Sequence, residues 1–151
     1  MVGDLLIVEA ATSARQLTDE ELQQIVDHVE RAGFDPAIRV GQTAAMRHFS
    51  KHVEKQQEWP QGTTLELYLE SVRAVVRDPQ SGIFTSRYQG AWQLGIVRRT
   101  GDLRGLRGFD WVLVEYRVAI GLWVTAYQAA EGLNELASPQ RTEVRWLRRP
   151  R

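Results

Sequence analysis

Cysteine is absent from the 151-residue chain, which excludes disulfides, thiolate nucleophiles and any Cys-ligated zinc or iron–sulfur site. No apolar run approaches the roughly 20 residues that a membrane-crossing helix needs, so no membrane partner is expected. The opening segment, MVGDLLIVEA, carries an acid at Asp4 and no basic stretch ahead of its short apolar run, and so does not read as a secretory signal. Lysine is scarce, for seventeen of the nineteen cationic side chains are arginine. Arginine grips carboxylates and phosphates bidentately, although genomic base composition is the plainer reason for such a bias. Net charge is also missing, at zero overall, yet it is unevenly spread. Residues 1–60 hold six Lys/Arg against ten Asp/Glu, a balance of −4, and residues 61–151 a balance of +4. A phosphate-bearing partner therefore fits the C-terminal part better.

With 43% apolar residues, the chain has the size and composition of one folded domain spanning 1–151. Residues 1–15 form either a flexible leader or an edge strand, and 148–151 a basic tail. Thr18 and Glu21 predict a capping box, after which Leu22, Ile25, Val26 and Val29 recur at helical spacing until Gly33. A second helical segment is predicted from about Thr43 to Glu58, with Ala45, Met46, Phe49 and Val53 as its buried stripe. A third begins at Thr63 or Thr64 and buries Leu65, Leu69, Val72 and Val76. Past the turn signal Asp78–Gly82 the period changes to that of strands, Ile83–Tyr88 and Trp92–Arg99. The Gly/Arg-rich loop Thr100–Gly108 separates these from a hairpin over Phe109–Gln128, and Val144–Leu147 offers a short last strand. The expectation is an α+β fold, with N-terminal helices packed on one side of a four-stranded antiparallel meander.

Alternation in the hairpin sends Val112, Val114, Tyr116 and Val118 to the core, and Trp111, Leu113, Glu115 and Arg117 to the other face. In the second arm Trp123, Thr125 and Tyr127 share a face, opposite Leu122, Val124 and Ala126. A three-residue loop centred on Ile120 would put all the polar groups on one side. A two-residue turn at Ile120-Gly121 would separate Arg117 from Thr125.

The second helical segment carries His48-Phe49-Ser50-Lys51-His52. Its histidines are four residues apart and share a face. A His-x-x-x-His pair can hold zinc, but Phe49 stands where a zincin needs glutamate, and no metal is expected. One histidine can serve as general acid or base near neutral pH, and Lys51 beside a charged histidine can hold a phosphate. A solvated helix face is the plain alternative.

These residues, with Leu67-Tyr68-Leu69, Val114-Glu115-Tyr116-Arg117 and Gly121-Leu122-Trp123-Val124-Thr125-Ala126-Tyr127, resemble the barnase–EndoU–colicin–RelE (BECR) superfamily of ribonucleases. The likeness is to the toxin domains of bacterial polymorphic and contact-dependent inhibition systems, and it runs from about Ala45 to Gln128. It implies metal-independent RNA cleavage, with no cofactor, by attack of the 2′-OH on the adjacent phosphate. His48 or His52 would move the protons; Lys51, Arg117 and Arg87 would neutralise phosphate. Thr125 and Tyr127 would donate hydrogen bonds, and Trp123 would stack on an unpaired base. The implied partners are RNA and a cognate immunity or antitoxin protein, with action in the cytoplasm after delivery. Each role has a plainer counterpart: Arg117 paired with Glu115, Thr125 as a strand former, Tyr127 in packing. A non-catalytic interaction or nucleic-acid-binding domain on the same scaffold is the alternative, using the Gly/Arg loop and the Arg tail.

Overall fold

The computed structural model describes residues 2–13 and 15–151. Helices come first: α1 (Val2–Thr12), α2 (Asp19–Ala32), α3 (Ala44–Phe49) and α4 (Leu65–Arg77). They precede strands β1 (Gly82–Tyr88), β2 (Ala91–Arg99), β3 (Trp111–Arg117), β4 (Leu122–Gln128) and β5 (Arg141–Arg148). The sheet is antiparallel in the order β4-β3-β2-β1-β5. The chain is therefore α+β with N-terminal helices, but the sheet has five strands where four were expected. The fifth is the suspected terminal strand, longer than Val144–Leu147 and bulged twice where it pairs with β1.

The helix termini follow local chemistry. At α2, Glu21 N–H donates to Thr18 Oγ1 (3.1 Å) while Thr18 N–H donates to Glu21 Oε1 (3.0 Å), closing the capping box. Thr43 and Thr64 cap α3 and α4 through the backbone N–H of Met46 and Leu67. The buried stripe of α4 is Tyr68, Val72, Val75 and Val76, one step round from the expected one. Tyr68 is drawn inward because its hydroxyl donates to Ala126 O on β4 at 2.6 Å.

The Leu5–Ala10 run is helical, neither leader nor edge strand, and of the expected 1–15 segment residues 1 and 14 lie outside the described residues. Leu6, Ile7 and Ala10 bury against the domain, and Asp4 accepts from Tyr116 Oη (2.6 Å) and contacts His28 Nε2 (3.0 Å). At the other end, Arg148 of the expected basic tail donates to Ser81 O (2.9 Å) and Asp78 O (3.2 Å), so it is tied to the domain.

The main core lies between helices and sheet, and combines the α2 and α4 stripes with Ile83, Leu94, Ile96, Val112, Val114 and Tyr116. A smaller cluster of Phe84, Val97 and Leu113 sits on the opposite face, flanked by Trp111, Tyr127, Leu136 and Trp146. Gly95 makes that face possible, since a Cβ there would lie 2.1 Å from Phe84 Cζ.

The β3–β4 hairpin follows neither predicted turn. Arg117 pairs with Leu122 across a four-residue loop, Tyr116 pairs with Trp123, and Glu115 pairs with Thr125, so Val124 is an extra, bulged residue. The bulge reverses parity within β4. Trp123 turns into the helix-side core while Thr125 shares the opposite face with Glu115.

Candidate functional site

The segment after α3 does not continue as a regular helix to Glu58. Ser50–Lys55 widens into a π-helical turn, closed by Gln56 N–H donating to Lys51 O at 2.9 Å. Such turns recur at functional sites because they re-aim side chains without ending the helix. Gln57 then adopts the left-handed conformation, at φ 53°, and Glu58 N–H donates to His52 O at 2.9 Å. This fold-back sets Glu58 against the histidine it follows. Glu58 Oε2 lies 2.9 Å from His52 Nδ1, and its Oε1 accepts the backbone N–H of Gln128 on β4 at 2.8 Å. His52 and Glu58 are 6% and 2% exposed, so this linkage between helix and sheet lies in the interior wall.

Four near-parallel rings run beside it. Phe34 stacks on His48 (centroids 4.7 Å apart, 18°), His48 on His52 (5.9 Å, 12°), and His52 on Tyr127 (5.6 Å, 24°). The column bridges the α2–α3 loop, the π turn and β4, and it fixes the planes of both imidazoles.

These groups border an open cleft of about 620 Å³, lined by His48, Lys51, His52, Glu58, Thr125, Tyr127 and Gln128 together with Arg107, Phe109 and Glu135. That volume suits a nucleotide-sized ligand. Arg107 and Phe109 reach the rim because the Gly/Arg loop docks on the Gln57–Trp59 backbone, where Gly105 N–H donates to Glu58 O at 3.1 Å. A Cβ on Gly105 would sit 2.3 Å from Gln57 O, so no other residue permits this approach. Arg107 lies over the Phe109 ring at 5.7 Å and donates to Gln56 O at 3.3 Å.

Electrostatics fix the charge state of His48. Burial, and the positive fields of His52, Lys51 and Arg47, push His48 down to about 4, so its ring is neutral around pH 7. Its Nδ1 is enclosed without a partner, as is Gln128 Oε1. Burial, followed by the carboxylates of Glu115 and Glu135, holds the Tyr127 phenol above its ordinary value, so it stays a donor. Among the described residues no three His, Asp or Glu side chains cluster as a metal site requires, so the His48/His52 pair lacks a third protein ligand.

The fold thus brings together five of the eight residues singled out by sequence: His48, Lys51, His52, Thr125 and Tyr127. The other three stand elsewhere. Trp123 is 2% exposed, packs edge-on against Phe34 and donates from Nε1 to Val29 O at 2.7 Å. No face of it is open to stack on a base, because the Val124 bulge turned it inward. Arg87 lies over Trp92 at 4.9 Å and donates to Gly90 O at 3.2 Å. Arg117 shares the Glu115 and Thr125 face of the sheet but is turned to β2, its guanidinium 3.2 Å from the Gln93 amide oxygen when that amide turns its nitrogen to Glu115. Neither arginine lines the cleft. Glu115 is paired with Arg141, not Arg117, in a buried bridge.

Glu58, Gln128, Arg107 and Phe109 were not singled out. Nothing local marks Glu58, which reads as the last residue of a solvated helix turn. Arg107 did carry a signal, as part of the Gly/Arg loop. No family model matches the chain, and neither curated proteins nor solved structures contain a significant match to it.

Proposed function

We propose that this protein is a metal-independent endoribonuclease of toxin type, the activity implied by its resemblance to the BECR superfamily. One observation carries the reading. A histidine held by a buried carboxylate shares a single cleft with a lysine, a threonine and a protonated phenol delivered by a strand some seventy residues away.

Transesterification of RNA needs these groups. His52 takes the proton from the 2′-OH, whose oxygen attacks the adjacent phosphorus. Lys51 and Arg107 offset the charge that builds on the non-bridging oxygens, and Thr125 donates to one of them. Tyr127 gives its proton to the departing 5′-oxygen, leaving a 2′,3′-cyclic phosphate and a free 5′-OH. Phe109 takes over the stacking role once given to Trp123, offering its ring to an unpaired base. His48, neutral at working pH, supports the His52 ring and carries no charge. RNA is accordingly the proposed partner, with a cognate immunity or antitoxin protein as the second.

A nucleic-acid-binding domain without catalysis is the second reading. It is favoured by Arg87 and Arg117 standing outside the cleft, which leaves Lys51 and Arg107 as its lining cations.

Incubation with total RNA in EDTA, beside His52→Ala, separates the two. The enzyme reading expects cleavage to cyclic-phosphate ends by the wild type and at least about a 100-fold loss in the variant. Intact RNA, or equal cleavage by both proteins, removes it.

A further inference from the structure

We propose that Glu58 is the positioning residue of this site, holding His52 in the Nδ1–H tautomer so that Nε2 is the nitrogen offered to the substrate. An ionised carboxylate only accepts hydrogen bonds. With Oε1 taken by Gln128 N–H (2.8 Å) and Oε2 at 2.9 Å from His52 Nδ1, the proton of that second bond sits on the imidazole. The remaining lone pair then resides on Nε2. The ring column sets the plane of the imidazole and Glu58 sets its rotation, so one orientation of one tautomer survives.

A carboxylate that is 2% exposed is an expensive way to join a helix to a strand. Its position also needs two local departures from regular backbone, the π turn and the left-handed Gln57. A group that must orient an imidazole and balance its positive charge during proton transfer explains the choice. Glu58 lines the cleft, but its two oxygens are taken by Gln128 N–H and His52 Nδ1, so its effect passes through His52.

The mechanistic part rests on the ribonuclease reading, and the tautomer does not. Nitrogen-15 NMR of the wild-type protein near pH 8 reads the tautomer directly, with His52→Asn assigning the signal. The expected result is a protonated Nδ1 and a bare Nε2. The opposite tautomer, or a fast-exchanging mixture, overturns the proposal whatever the protein does to RNA. In Glu58→Gln an amide cannot accept from both Gln128 N–H and His52 Nδ1–H through two oxygens. We expect the NMR signature to become a mixture and kcat on RNA to fall about 10- to 100-fold, with KM within about twofold. Glu58→Asp, which keeps the charge, should recover part of kcat. Unchanged kcat in Glu58→Gln, or a loss confined to KM, overturns the positioning role. If the variant does not fold, the wild-type tautomer decides alone. If the wild type shows the expected tautomer yet leaves RNA intact, the ribonuclease reading has failed and the assigned geometry stands.

Discussion

Arg141→Met should be among the most damaging single changes on the far face of the sheet, and its cost can be worked from the contacts. The Arg141 and Glu115 side chains are 3% and 6% exposed and form a direct ion pair that joins β5 to β3 across β1 and β2. The guanidinium lies over Phe84 (5.7 Å) and Tyr88 (5.2 Å) and reaches Ser86 Oγ at 3.4 Å. Methionine fills much of that volume but leaves the Glu115 carboxylate buried, with the Gln93 amide as its nearest remaining donor at 3.3 Å. Removing one partner of a buried pair costs about 3 to 5 kcal/mol, mostly the uncompensated charge. For a domain of this size that lowers Tm by roughly 6 to 20 °C. Adding Glu115→Leu should restore most of the loss, since an apolar pair of similar volume is often neutral or better. Arg117→Ala, at a half-buried position outside the pair, should cost under about 1 kcal/mol. Urea unfolding of the four proteins reads all three differences. If Arg141→Met loses less than about 1 kcal/mol, or the double variant is as unstable as the single, the charge argument is wrong.

Other changes probe the site and its surroundings. Val40 and Gly41 occupy the two left-handed positions of a tight turn (φ 52° and 76°) closed by Arg39 and Gln42, and Val40 is wholly exposed. A β-branched residue there is strained and packs on nothing, so Val40→Asn should stabilise by about 1 kcal/mol in urea unfolding; a loss would show that the strain was misread. His48 binds a proton less readily folded, at about 4, than unfolded near 6.5. Its contribution is present above pH 6.5 and lost as pH falls toward 4. Tm measured from pH 7 to pH 4 should therefore fall less steeply in His48→Phe, and parallel curves would refute the assignment. Phe109→Ala should raise KM for single-stranded RNA by about 10-fold, for loss of one base stack, and leave kcat alone; a fall in kcat with KM unchanged would mean that Phe109 is not a platform.

Much of this architecture was legible wherever a local signal and a tertiary one coincide. The Thr18 capping box and the Leu22–Val29 stripe each have one physical solution, and the structure adopts it; Val112, Val114 and Tyr116 likewise join the helix-side core while Leu113 joins the opposite cluster. The α1 helix was not legible, because Leu5-Leu6-Ile7-Val8 is apolar on all sides and gives no period to read. Tyr68 was missed because its hydroxyl finds a buried carbonyl, a partner that only the assembled sheet provides. The pairing of Glu115 with Arg141 spans 26 residues and depends on β5 joining the β1 edge, which no short-range pattern announces. For the site, spacing puts His48 and His52 on one helix face, but only the resemblance to the BECR ribonucleases singled them out, with Lys51, against a solvated face. Trp123 could not be placed, since the bulged Val124 takes it off the face that alternation gives it with Thr125 and Tyr127.

The failures of sequence reasoning are not scattered. The π turn delivers Lys51 and His52, left-handed Gln57 delivers Glu58, and the Val124 bulge sends Thr125 and Tyr127 away from the core that Trp123 enters. Each is a departure from regular geometry that weakens its own element, and the three come from separate stretches of chain. All three border one cleft. Regular continuation would have been the more stable local choice at each point: α-helix through Lys55, a right-handed cap, an unbulged hairpin. Packing accounts for part of each exception, because Val53, Trp59 and Trp123 all enter the helix-side core beside them, but it does not require the polar groups to face one cleft. Under the proposed function, the added reason is that an imidazole, its carboxylate and the polar edge of β4 must stand together.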